Sequence, residues 1–257
     1  MTEPSLIVAS LLVFYLALVV PLLGPRRYQR FLQRVASNPA LRVRLYSLML
    51  VAQCFLVIIV AVVILLSAVP LSTIGLRIPN YGWLQALDAP PITSWLFTLF
   101  LLVMLGLLLF VGAIVGERRL QRPQQIGTLN QLLRLKEFLP HTALERRLWL
   151  GVSIGAGVSE EITYRGFLTW YILQIGNIFG LQLSFLLALA LSTIIFSLAH
   201  SYQGWRGIVI TVLLGYIFAF FYAVTDSLLL SMVFHILIDA RIALLSPAIL
   251  RLLSQIE

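Results

Sequence analysis

The chain reads as a succession of long apolar runs divided by polar connections. Leu6–Leu23, Leu45–Val69, Trp95–Val115, Leu148–Leu173, Leu181–His200, Ile208–Val224 and Leu228–Leu245 are the runs. Each comes near the ~20 apolar residues that an α-helix needs to cross hydrocarbon, and none shows the period-2 alternation of a barrel strand. The pattern predicts an all-α, polytopic transmembrane helix bundle of about seven spans, eight if a re-entrant segment crosses as well. The first run has no basic n-region. Gly24-Pro25-Arg26-Arg27 follows it in place of a small-residue cleavage site, so it is read as a retained span. Pro90 and Pro91 open the third. No fixed-period repeat is present.

Composition agrees: 60% of the residues are hydrophobic and only 11% charged, far from globular usage. The net charge of +8 would suggest nucleic acid in a soluble protein, but here it has another explanation. The arginines concentrate in two connections. Gly24–Arg44 carries Arg26, Arg27, Arg30, Arg34, Arg42 and Arg44 with no acidic residue; Gly116–Arg147 carries Arg118, Arg119, Arg122, Arg134, Lys136, Arg146 and Arg147 against Glu117, Glu137 and Glu145. Such placement speaks for topology and anionic headgroups, and against a nucleic-acid partner. Seven spans put both connections and the tail on one side. The expectation is a multi-pass protein of a bacterial plasma membrane, N-terminus outside and C-terminus cytoplasmic. Ile126, Leu129, Leu132, Leu133 and Phe138 recur at nearly helical spacing, which predicts a helix lying on the membrane surface. The chain divides into residues 1–147, three spans plus this basic connection, and residues 148–257, a four-span core. Cys54 is the only cysteine, so no internal disulfide is possible.

The fourth run is interrupted by Glu160-Glu161-Ile162-Thr163-Tyr164-Arg165. Three charges near a helix centre cost roughly 8 kcal/mol of insertion energy, so they need partners inside the protein. Glu161 and Arg165 are four apart and predict a buried ion pair. Glu160 points about 100° away and is left for another task. Candidate partners stand in later spans: Phe196 and His200 close the fifth, while Ser231, His235 and Asp239 share a face of the seventh at i, i+4 spacing. Asp226 reads as an N-cap or first-turn charge of that last helix, and His141 as incidental. Glu160, His200, His235 and Asp239 thus gather from three helices. A carboxylate beside imidazoles in a low-dielectric site can deprotonate water, and the same set can bind a metal.

These stretches resemble the CPBP intramembrane proteases, or Abi family, which include the type II CAAX prenyl proteases. The family's motif E-E-x-x-x-R is matched by Glu160, Glu161 and Arg165, F-x-x-x-H by Phe196 and His200, and H-x-x-x-N/D by His235 and Asp239. The resemblance covers about Leu148–Leu245. It implies an endopeptidase acting on membrane-associated or lipidated peptides in the bilayer. In it Glu160 would act as general base with His200, Glu161 and Arg165 would order the site, and His235 with residue 239 would stabilise the oxyanion. A metalloendopeptidase using zinc on Glu160, His200, His235 and Asp239, or a glutamate–histidine mechanism with no cofactor, are both compatible; H-E-x-x-H is absent. Asp239, when ionised, only accepts hydrogen bonds, where an asparagine would also donate.

Two other classes fit the same residues. A proton- or ion-coupled transporter would use the charges as a relay, although no inverted half is visible. A non-catalytic scaffold would bind membrane partners and tolerate loss of Glu160. A serine triad of Ser231, His235 and Asp239 is disfavoured because all three project from one helix face. Gly151-x-x-x-Gly155 permits a close helix contact, within or between subunits.

Overall fold

A computed structural model describes residues 3–82, 90, 92–120 and 136–254. Among them every regular element is a helix, as an all-α membrane bundle requires. The elements are α1 (Glu3–Phe14), α2 (Val20–Ser37), α3 (Leu41–Leu66), α4 (Ile92–Leu120), α5 (Ala143–Glu160), α6 (Thr169–Ile178), α7 (Phe185–Ala199), α8 (Gly204–Thr225) and α9 (Leu229–Ser254). Glu3–Ser37, Leu41–Leu66, Ser201–Thr225 and Leu229–Arg251 are each long and apolar enough to cross a membrane; Ile92–Met104 and Phe185–Ala199 are shorter apolar helices. With the charged α5–α6 rod, all seven predicted segments are helices. The predicted surface helix lies, apart from Phe138, outside the described residues.

Two boundaries differ from the sequence reading, for one reason. The chain was expected to leave the helix at Gly24-Pro25, yet Glu3–Ser37 is a single rod, α1 running into α2 through a π-helical turn at Tyr15–Val19. Proline cannot donate to the carbonyl four residues back, so Pro25 frees that of Pro21. Ser201 Oγ donates to it at 2.9 Å. Likewise Pro247 lies inside α9 instead of ending it, and Ser246 Oγ donates at 3.2 Å to the Ala243 carbonyl that Pro247 cannot reach. In each case a hydroxyl replaces the missing donor and the helix continues.

Asp226 needs a correction. It does not start α9; it closes α8 in the left-handed conformation, φ 51°. Its side chain pairs with Arg77, whose Nε also donates to the Asp226 carbonyl at 2.8 Å. The segment around the 3-10 turn Leu71–Ile74 is clipped onto this corner by Asn80 N–H to Thr225 O, 2.7 Å, and Leu228 N–H to Gly75 O, 2.9 Å.

The helices pack closest where glycines allow it. A Cβ on Gly155 would run into the Gln53 side chain, and one on Gly151 would touch Leu50, so the Gly151-x-x-x-Gly155 contact is made to α3 within the subunit. A Cβ on Gly157 would meet backbone of α9, Ile236 N at 2.9 Å and Met232 O at 3.0 Å. That contact sets the end of α5, with Glu160, against His235 and Asp239 on α9.

At the opposite end of α5, Thr142 and Glu145 form a reciprocal capping box. Glu145 also accepts from His141 N–H at 2.6 Å and from Arg42 Nε at 3.1 Å. Burial works to raise the Glu145 pKa, but the backbone N–H groups of Thr142 and His141 and the Arg42 guanidinium outweigh it and hold the carboxyl below its ordinary value. Tyr46, Phe138 and Trp149 meet edge to face beside this clasp.

Candidate active site

The site begins where α5 gives way to an eight-residue π-helical turn, Glu161–Leu168. Wide turns of this kind are rare and leave backbone groups without their usual partners. The Tyr164 carbonyl here accepts from Thr169 Oγ1 at 3.4 Å and from Ser192 of α7. Every side chain of the turn is buried.

Glu161 and Arg165 are both 0% exposed and pair at 3.1 Å, as the i, i+4 spacing predicts. Arg165 is held further by the Gly215 carbonyl, 3.3 Å from Nη2, and its guanidinium lies 4.0 Å from the centroid of Phe196 and 5.3 Å from that of Phe218. An aromatic face can attract a desolvated guanidinium by up to about 2 kcal/mol. Phe196 therefore serves as a platform for Arg165. Gly215 is small because it must be: a Cβ there would come 2.8 Å from Thr193 Cγ2 and 3.1 Å from Arg165 Nη2.

Glu161 Oε1 also receives Nδ1 of His235 at 2.9 Å. With Nδ1–H donated to that carboxylate, His235 turns Nε2 toward Glu160 Oε2 and Asp239 Oδ2, each 3.7 Å away. Phe218 stacks on the imidazole at 4.9 Å and 17°. His200 is built in the same way. Its Nδ1 lies 2.9 Å from the Phe196 carbonyl one turn back, and Nε2 faces Glu160 Oε2 at 3.8 Å. Both tautomers follow from these partners.

Glu160 thus stands between two imidazole nitrogens at distances too long for direct hydrogen bonds. Its Oε2 is buried without a hydrogen-bond partner. An Nε2 without its proton accepts, as the carboxylate does, so a molecule that donates protons to both satisfies them, and water does so. Glu160 and Asp239 are the more open members, with side chains 23% and 34% exposed, whereas Glu161 and Arg165 are sealed. The cluster is therefore layered: an inner pair that orients, and an outer set that can meet a substrate.

The donor types, two imidazoles and two carboxylates, are ones that zinc accepts. Among the described residues, however, no three of His, Cys, Asp and Glu converge as ligands of one ion. The orphaned Glu160 oxygen is met by water as well as by a cation, and the chemistry proposed below uses these side chains and water.

The structure brings together every residue singled out in the motifs: Glu160, Glu161, Arg165, Phe196, His200, His235 and Asp239. Ser231 is not among the facing groups. Its hydroxyl is buried and donates to the Phe218 carbonyl at 2.8 Å, consistent with setting the triad aside. His141 lies at the α5 cap, Nε2 2.9 Å from the Lys136 carbonyl. Sequence reasoning missed Phe218 and Gly215, which read only as ordinary members of an apolar span; a glycine in mid-span was the available signal. It also missed Trp149, whose Nε1–H donates to the Asp239 carbonyl at 3.0 Å.

Glu160 and His200 open into a cavity of about 760 Å³. The rest of its wall is mostly apolar and comes from α1, the Tyr15–Val19 turn and α3, including Leu12, Leu16, Phe55 and Ile59. Leu11, Tyr15 and Phe55 on this wall are exposed. The first spans, which the motifs do not touch, thus enclose the space in front of the motif residues.

Fold and site together define an all-helical membrane protein with a buried glutamate–histidine centre. Residues 143–241 match the model of a family described as type II CAAX prenyl endopeptidase Rce1-like. That stretch contains every residue of the centre, and the match supports a CAAX protease, or CPBP, assignment. No curated protein and no solved structure matches the chain. An integral-membrane protease of CAAX type is the class that these findings support.

Proposed function

We propose that the protein hydrolyses peptide bonds of lipidated or membrane-associated peptides with a water activated by Glu160 and His200. The observation that carries this reading is the buried, unpartnered Oε2 of Glu160, facing His200 Nε2 at 3.8 Å and His235 Nε2 at 3.7 Å. A water held there donates one proton toward Glu160 and the other toward an imidazole. Glu160 removes a proton as the water oxygen bonds to the carbonyl carbon. The tetrahedral intermediate then collapses: the carbon–nitrogen bond breaks and the proton on Glu160 passes to the leaving nitrogen. The products are a new carboxylic acid and an amine, with no acyl-enzyme.

Glu161 fixes the tautomer and direction of His235, and Arg165 with Phe196 fixes Glu161. Asp239 faces His235 from the open side. The apolar cavity suits a substrate with a lipid chain or an apolar helix end, since burying apolar surface there is favourable by roughly 25 cal/mol per Å². We place the basic connections on the cytoplasmic side, by the positive-inside rule.

Substrate trapping tests the reading. Glu160→Gln protein, affinity-tagged in its own membrane, should retain lipidated or membrane peptides that wild type releases as shorter products, read by mass spectrometry. Identical, uncleaved proteins on both forms would contradict it.

A further inference from the structure

The outer site is rich in acceptors. Glu160, Glu161 and Asp239 are carboxylates, which donate no hydrogen bond when ionised. His200 and His235 commit their Nδ1–H groups to the Phe196 carbonyl and to Glu161. With Nδ1 committed, each imidazole has only Nε2 left to offer, and neither outer carboxylate carries a hydroxyl or amide proton for the negative oxygen that forms when water adds to a carbonyl. Such an oxygen beside the two outer carboxylates, Glu160 and Asp239, is unfavourable without a preorganised donor.

Tyr202 brings one. It occupies the 3-10 turn Ser201–Gln203, directly after His200. Its ring lies 5.8 Å from the His200 imidazole and 5.1 Å from Tyr28 of α2, so it is held between the catalytic histidine and the first helical rod. It lines the same cavity as Glu160 and His200. Gln203 Nε2 donates to its hydroxyl oxygen at 3.1 Å, which occupies a lone pair and leaves the phenol proton to be donated.

We propose that Tyr202 is a catalytic residue whose O–H hydrogen-bonds the carbonyl oxygen of the scissile bond as that oxygen becomes negative. The proton stays on the phenol throughout; the proton taken from water travels by way of Glu160 to the leaving nitrogen, so the balance of the reaction is unchanged. Asp239 leaves the vacancy and Tyr202 fills it. The proposal rests on the hydrolytic reading above.

The test measures kcat and KM on a farnesylated, fluorescence-quenched peptide in phosphatidylcholine liposomes. Tyr202→Phe keeps both ring contacts and deletes the O–H alone. It should lower kcat about 100-fold, the scale of one lost oxyanion donor, with KM little changed and the unfolding temperature unaltered. Asp239→Asn introduces an amide donor at the neighbouring position. The double variant Tyr202→Phe/Asp239→Asn should therefore turn over about tenfold faster than Tyr202→Phe. Wild-type kcat in Tyr202→Phe overturns the proposal, as does a loss that the second substitution does not relieve. If wild type itself cleaves no such peptide, the hydrolytic reading fails and this proposal with it; if wild type is active, the two are judged separately.

Discussion

His235 places its Nδ1 2.9 Å from Oε1 of Glu161, the oxygen to which Arg165 also donates from 3.1 Å. One buried carboxylate oxygen thus joins the seventh predicted span to the fourth, and through Arg165 Nη2 to the Gly215 carbonyl of the sixth. Glu161 is the keystone of the inner layer, and Glu160, one residue earlier, remains free of it.

Removing Glu161 should be costly. Glu161→Ala leaves Arg165 buried and uncompensated, which typically destabilises by about 3–5 kcal/mol. Replacing both partners by apolar residues, Glu161→Leu with Arg165→Met, should restore most of that stability and none of the activity, because His235 still lacks its orienting acceptor. Thermal unfolding in detergent and peptide turnover measure the two arms.

Gly215→Ala should be destabilising although it is a small change in an apolar helix. The new methyl meets Thr193 Cγ2 at 2.8 Å and Arg165 Nη2 at 3.1 Å, so Arg165 must shift off the Gly215 carbonyl. Overpacking of this kind costs about 1–3 kcal/mol. Unfolding of Gly215→Ala beside a control alanine at Gly106, where a Cβ meets nothing within 4 Å, isolates the effect.

Acid should loosen the α3–α5 clasp. The folded pKa of Glu145 lies below its unfolded value, because backbone N–H groups and Arg42 outweigh burial. Its contribution is then fully present above the unfolded pKa, about 4.3, and is lost as pH falls through the lower folded value. Wild type should lose more stability than Glu145→Gln as the pH drops from about 5 to 3, a difference read from paired denaturation curves.

The motifs were legible because helical spacing carries chemistry directly. Glu161 and Arg165, and His235 and Asp239, stand at i, i+4, and polar residues in apolar runs advertise themselves by their cost. The supporting parts were not legible. No residue preference announces the π turn at Glu161–Leu168, and Pro25 looked like a helix end because the hydroxyl that caps the freed Pro21 carbonyl belongs to Ser201, 180 residues beyond Pro21. Phe218 stacks on His235 from a span whose sequence is uniformly apolar. Asp226 read as the start of a helix because sequence alone does not reveal Arg77 on the other side of the corner. The cavity depends on packing of α1 against α3 and of α3 against α5, and nothing in their apolar runs marks which faces line it.

The metal question has its own measurement. The account predicts substoichiometric zinc in purified wild-type protein and turnover that survives dialysis against a chelator. One zinc per chain, lost together with activity in His235→Ala, would transfer the water from the side chains to an ion.

The central claim is that Glu160 deprotonates the attacking water. Its most direct test is single-turnover cleavage of a lipidated reporter peptide in liposomes by wild type and by purified, folded Glu160→Gln. The account predicts a fall in rate of at least about 100-fold, the lower end for a general base, with unchanged peptide binding. Cleavage by Glu160→Gln at the wild-type rate would contradict it.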